Sequence, residues 1–189
     1  MSRVFDALTA EPWAITPDAL QMIARIVARH DLPDTTKGEP EFVKRDYQIM
    51  AGPGAQRLAG TQRTFVIDGV AILPITGPIF PRANMMTEMS GATSVTMLQN
   101  DHRVAMANDD VGAILSLSDS PGGAGSGINA FADQLAAGAK KKPTVAYVSG
   151  TAASAAYWIA SAANEIVLDR TGIVGSIGVV AAIPVQIAP

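Results

Sequence analysis

The sequence has no cysteine. Disulfides, thiolate nucleophiles and cysteine-based zinc sites are therefore excluded. It has two histidines, His30 and His102. Neither a three-histidine metal site nor a His-Glu-x-x-His metalloprotease helix can be built from them, so no metal and no other cofactor is expected. Charge of one sign is also scarce. The 14 Lys and Arg stand against 17 Asp and Glu, a net charge of −3, which argues against a nucleic-acid surface. The first residues, Met1-Ser-Arg-Val-Phe-Asp-Ala-Leu8, lack the apolar core of a signal peptide. One uncharged stretch, Thr144 to Asn164, is long enough to span a bilayer. It is rich in Gly, Ser, Thr and Ala, and a strand-type half precedes a helix-type half. It reads as the buried interior of a domain rather than as a membrane span.

What the chain does contain suits an α/β domain. Its 189 residues are enough for one core with extra elements. Its many Ala and Gly residues allow helices to pack closely on a parallel sheet. Residues 1–30 read as a helical arm, with Thr16-Pro17-Asp18 as the helix start and Leu20, Ile23, Ile26 and Val27 on one face. Recurring Pro and Gly from Asp31 to Gln62 read as a linker, with the domain boundary near Arg63. Asp68-Gly69 between two apolar runs predicts a hairpin. Thr76 to Pro81 reads as a turn, Arg82 to Gly91 as a Met-rich segment, and Ser94 to Ala107 as a helix with Val95, Leu98 and Val104 in the core.

Two strand–turn–helix units carry the chemistry. In the first, a strand from Ala113 to Leu117 runs into Asp119-Ser-Pro-Gly-Gly123, and a helix with Ile128, Phe131 and Leu135 on one face follows. The backbone N–H groups of Gly122 and Gly123 can point outward, because no Cβ blocks an approaching group. Such donors suit an oxyanion hole. In the second, a strand from Val145 passes through Gly150 into small residues and then a helix, with Ser154 at the junction. Ser154 reads either as the helix N-cap or as a nucleophile, with Ala152, Ala153, Ala155 and Ala156 leaving room for a substrate backbone. Lys140 to Lys142 lie at the far end of that strand and read as a solvated turn. His102 is weighed as a base and set aside, because it lies on a helix that packs outside the sheet. Glu165 to Leu168 is a further strand, turned by Asp169 to Gly172.

Asp119-Ser-Pro-Gly-Gly123, Ala152-Ala-Ser-Ala-Ala-Tyr-Trp-Ile159 and Thr171-Gly-Ile-Val-Gly-Ser-Ile-Gly-Val179 together resemble the signal peptide peptidase A family of serine peptidases, family S49. Glu11-Pro-Trp-Ala-Ile-Thr-Pro17 looks more like its phage and prophage branch, whose members act in head maturation and capsid assembly. The resemblance implies a crotonase/ClpP-like spiral of β-β-α units, here with the N-terminal helical arm, over a domain spanning 63–189. It implies Ser154 as nucleophile, Gly122, Gly123 and Ala155 as backbone oxyanion donors, and Ser176 as the residue orienting the base.

It also implies a homo-oligomer without a membrane anchor, in the host cytosol or procapsid. That oligomer would cut scaffold, portal or capsid proteins as a serine endopeptidase. The family's base is a lysine several dozen residues after the nucleophile. No lysine follows Ser154. The general base is therefore expected to be missing and the domain to be C-terminally incomplete. The competing expectation is a non-catalytic assembly or scaffold protein that keeps the fold. An acyl-CoA enzyme of the crotonase type is weaker, since no carboxylate is placed for acid–base work.

Overall fold

The computed structural model describes residues 52–82 and 92–180, together with the backbone of a three-residue strand, β1 (Trp13–Ile15). From residue 52 the elements run β2 (Gln56–Arg57), β3 (Phe65–Ile67), β4 (Val70–Thr76), β5 (Ile79–Phe80), β6 (Thr93–Ser94), α1 (Val95–Ala107), β7 (Ala113–Ser120) and β8 (Gly122–Ala124). Then follow α2 (Ile128–Ala139), β9 (Thr144–Ala153), α3 (Ala155–Ala160), β10 (Glu165–Leu168) and β11 (Ile173–Gly175).

The turn at Asp68-Gly69 takes positive φ at both residues, 48° and 76°. That is the twist a two-residue hairpin needs, and β3 folds back antiparallel on β4. From β4 onward the large sheet is parallel, with strand order β10-β9-β7-β4-β3-β2. β11 pairs with the last residues of β9, beyond the stretch that β10 covers. A smaller sheet has the order β1-β8-β5-β6. Each long strand of the large sheet therefore gives way to a short strand of the small one and then to a helix: β4-β5-β6-α1, then β7-β8-α2. In the third unit β9 passes directly into α3.

The helices cover one face of the large sheet. Ser94 caps α1, its side chain accepting from Met97 N–H at 3.1 Å. Ile128, Phe131 and Leu135 recur at helical spacing on α2 and are fully buried with Leu73, Ile75, Val148 and Ile159. Each such side chain contributes roughly 2 kcal/mol by leaving water. The buried Asp101 of α1 ties the sheet's start to the helix layer. It accepts from Gln62 N–H (2.8 Å), Arg63 N–H (2.9 Å) and the Thr64 hydroxyl (3.1 Å).

Several expectations shift. The boundary expected near Arg63 falls inside the sheet, because β2 pairs with β3 and Ala55 and Leu58 are buried. The turn expected over residues 76–81 holds strand β5, which a local reading misses because its partners, Gly123 and Thr93, lie elsewhere in the chain. Within the arm, Trp13–Ile15 is a strand. The helix expected from Thr16 and the Met-rich segment after Arg82 lie outside the described residues. The uncharged stretch from Thr144 divides into β9 and α3. Among the described residues no helix is long and apolar enough to cross a membrane.

Candidate functional site

Strand β9 continues through Gly150 to Ala153 because of what lies beside it. A Cβ at Gly150 would come within 2.5 Å of Asp119 Oδ1. The Asp119 carboxylate instead accepts from Thr151 N–H at 3.2 Å. This clamps the end of β7 onto β9 three residues before Ser154. Sequence reading gave Asp119 no role. The signal was there in Gly150, since an isolated glycine within a strand marks close approach.

At Ser154 the chain turns sharply from β9 into α3. The residue has φ 54° and ψ −115°, a conformation that side-chain-bearing residues rarely adopt and that costs on the order of 1–3 kcal/mol. Ala152, Ala153, Ala155 and Ala156 are all buried, so the elbow is closed on both sides by methyl groups. Ser154 holds the N-cap position of α3, its carbonyl accepting from Trp158 N–H at 2.9 Å, but its side chain makes no capping hydrogen bond. Its hydroxyl donates to Gly178 O at 3.2 Å, and its N–H donates to Gly175 O at 2.8 Å. Ser154 is only 6% exposed. The Gly175-Ser-Ile-Gly178 segment thus reaches Ser154 through two main-chain carbonyls. Ser176, also at positive φ (53°), is itself exposed.

A cavity of about 370 Å³ opens beside the hydroxyl, lined by Ser154, Tyr157, Trp158, Ser161, Ile177, Gly178 and Val179. Its lining contains no lysine, histidine or carboxylate among the described residues. The Gly178 carbonyl can accept the hydrogen bond but cannot take the proton at neutral pH. Lys142 is engaged at the opposite end of β9, about 30 Å of strand away. Its ammonium donates to Ala105 O (3.1 Å) and Asn108 O (2.7 Å), closing the C-terminus of α1.

His102 is 2% exposed, between α1 and α2. Its Nδ1 accepts from the Gln134 amide at 3.0 Å, its ring meets Phe131 edge-on, and Gly138 lies against it. Burial lowers its pKa to about 4. It is a neutral core histidine with no contact to the serine elbow.

The Gly122–Gly123 turn is built into the small sheet as β8, beside α3. The Gly122 N–H, expected to face outward, donates to Ser120 Oγ at 3.2 Å, and that hydroxyl donates to Gly77 O at 2.6 Å. Gly123 lacks a Cβ for a packing reason, because the backbone of Ile79 lies where one would be. Among the described residues no three His, Asp or Glu side chains converge as metal ligands would.

A family model described as Peptidase family S49 matches residues 136–186. The chain carries a family-level link to the S49 peptidases. The S49 match covers β9, the Ser154 elbow, α3 and the Gly175–Gly178 segment, and leaves the Gly122–Gly123 turn outside.

The head-tail preconnector protein GP5 of Enterobacteria phage P21 is 36% identical over 183 residues, which is 95% of this chain and 36% of that protein. The capsid assembly protease C of Escherichia phage lambda is 32% identical over 117 residues, 62% of this chain and 27% of that protein. The chain thus spans about a third of the length of these phage relatives. A solved structure of an enoyl-CoA hydratase/isomerase family member aligns over 61% of this chain and 50% of its own, at 21% identity and a TM-score of 0.45.

Proposed function

We propose that this stretch of chain is an assembly protein that keeps the S49 fold, a crotonase/ClpP-like spiral, and its serine elbow, but does not cut peptides by itself. The observation that carries the reading is the cavity at Ser154, whose described lining offers no group able to take the hydroxyl proton. Losing the base of a serine peptidase costs on the order of 10⁴–10⁶ in rate. The phage relatives support a place in head assembly. The partners would be scaffold, portal or capsid proteins, and the chain would act as a homo-oligomer in the host cytosol or procapsid.

One observation favours a second reading, a serine endopeptidase. The strained φ and ψ of Ser154, at a sharp turn from strand to helix, support it as a nucleophile on an elbow. In that reading Ser154 Oγ attacks the scissile carbonyl and its proton passes to a lysine from residues outside this stretch, oriented by Ser176. The Ala155 N–H, with Gly122 and Gly123 rearranged from their present bonding, holds the oxyanion.

Hydrolysis of fluorescent casein by the chain and by Ser154→Ala, from about pH 6 to about pH 10, separates the two. The assembly reading expects equal background rates in both. Turnover that vanishes in Ser154→Ala establishes the peptidase.

A further inference from the structure

Exposed apolar surface is gathered in one part of the chain. Every exposed large apolar side chain among the described residues lies between Trp158 and Val180. Trp158, Ile177 and Val179 stand together on the wall of the Ser154 cavity. Leu168 lies against Gly172, the residue before Ile173. Ile173 and Ile177 are the most open, at 64% and 83%. Together the exposed apolar side chains of this region present roughly 700 Å², more than the ~300–600 Å² of the largest patch on a typical monomer.

The same region is an edge of the large sheet. β10 ends the strand order, and β11 pairs with β9 alone. The outer side of both strands faces no further strand among the described residues. Exposed edges are ordinarily guarded by lysine, proline or a bulge. Neither lysine nor proline occurs in Glu165-Ile-Val-Leu168 or in Ile173-Val-Gly175.

Two arguments select a second copy of the chain as the cover. The first is area, since each partner in a stable complex contributes ~800 Å². The second is composition. Homodimer interfaces are more apolar than transient ones, and their cores are poor in charge. From Trp158 to Val180 the charged residues are Glu165, Asp169 and Arg170. Two acids against one base leave two identical faces little charge with which to repel each other.

We propose that a second copy of this chain covers this surface about a two-fold axis, and that by seating on Trp158, Ile177 and Val179 it closes the Ser154 cavity. The inference deepens the homo-oligomer of the assembly reading and rests on that part of it. It places the interface and makes the serine elbow part of the buried surface.

Sedimentation velocity of the full chain from about 1 μM to about 100 μM should show a reversible monomer–dimer equilibrium. The double variant Ile173→Asp/Ile177→Asp should weaken it at least ~100-fold. Both side chains are exposed in the single chain, so circular dichroism and Tm should stay native. A chain that is monomeric throughout overturns the proposal. So do species that grow without a limiting size, and so does a dimer that the folded variant keeps, which leaves a homo-oligomer built on another face.

Trp13→Phe leaves Trp158 as the one tryptophan. Its emission should shift to the blue and resist acrylamide as the dimer forms. Emission that ignores dimerisation overturns the closure of the Ser154 cavity, and this measurement decides alone if the aspartate variant fails to fold. Casein turnover that vanishes in Ser154→Ala would overturn the assembly reading without moving the sedimentation result, so the two failures stay apart.

Discussion

Replacing Gly123 with alanine loads the contact between β5 and β8 within the small sheet. An ideal Cβ at this position would fall on the Ile79 carbonyl oxygen, with Ile79 N at 2.5 Å and Ile79 C at 2.6 Å. Ordinary carbon contacts lie near 3.5–4.0 Å, so the shortfall is about 1 Å. The obstructing atoms are backbone, and no rotamer change relieves them. β5 and β8 must move apart, and Ile79, fully buried in the main core, must move with β5.

Overpacking that side chains can absorb costs about 1–3 kcal/mol. Here the main chain must absorb it, so the expected loss is ~3 kcal/mol or more. For a chain of this size that lowers Tm by roughly 6–12 °C. Thermal and urea denaturation followed by circular dichroism measure it. Gly52→Ala is the control: no atom lies within 4 Å of its Cβ position, and only its φ of 94° opposes the change, for about 1 kcal/mol. A Gly123→Ala protein within ~0.5 kcal/mol of native would refute the β5–β8 packing.

Burial of His102 makes stability depend on pH. The unfolded imidazole titrates near 6.5 and the folded one near 4, so the unfolded chain takes the proton first. Its contribution is full above about pH 6.5 and is lost as pH falls towards 4, ~3 kcal/mol in all. Urea titrations across that range should show the loss in the native chain and a flatter profile in His102→Leu, and parallel profiles contradict the assignment. Ser154→Gly should be about 1 kcal/mol more stable than Ser154→Ala, since only glycine takes φ 54° without strain. Equal urea midpoints would remove the strain argument. Asp101→Ala leaves three donors without their carboxylate, those of buried Thr64, half-buried Arg63 and exposed Gln62, and should cost ~3 kcal/mol in guanidinium denaturation. A loss below ~1 kcal/mol means water replaces the carboxylate.

Local chemistry made much of the fold legible. Asp68-Gly69 can hardly be anything but a tight hairpin, and the spacing of Ile128, Phe131 and Leu135 announces the buried face of α2. Elements whose cause is distant were not legible. β1, β2 and β5 have two or three residues each and exist because a partner strand elsewhere accepts them. No local pattern in Trp13-Ala-Ile15 or Ile79-Phe80 encodes that partner.

At the candidate site, the junction at Ser154 was readable from the strand pattern, the small residues and the Ala-rich helix. Its positive φ was not, because a serine gives no sign of left-handed backbone. Nor was the engagement of the Gly122 N–H by Ser120, which depends on the Ser120 hydroxyl also finding Gly77 O. Asp119 escaped notice because its partner is an absence, the missing side chain of Gly150.

We infer that Ser154 sits at a strained strand-to-helix junction whose cavity, among the described residues, is lined by no group able to take the hydroxyl proton. Intact-mass spectrometry of the purified chain after incubation with a fluorophosphonate tests this most directly, with Ser154→Ala run alongside. The expected result is no adduct on the native chain beyond that on the variant. A stoichiometric adduct mapped to Ser154 would contradict it, and the endopeptidase reading would take its place.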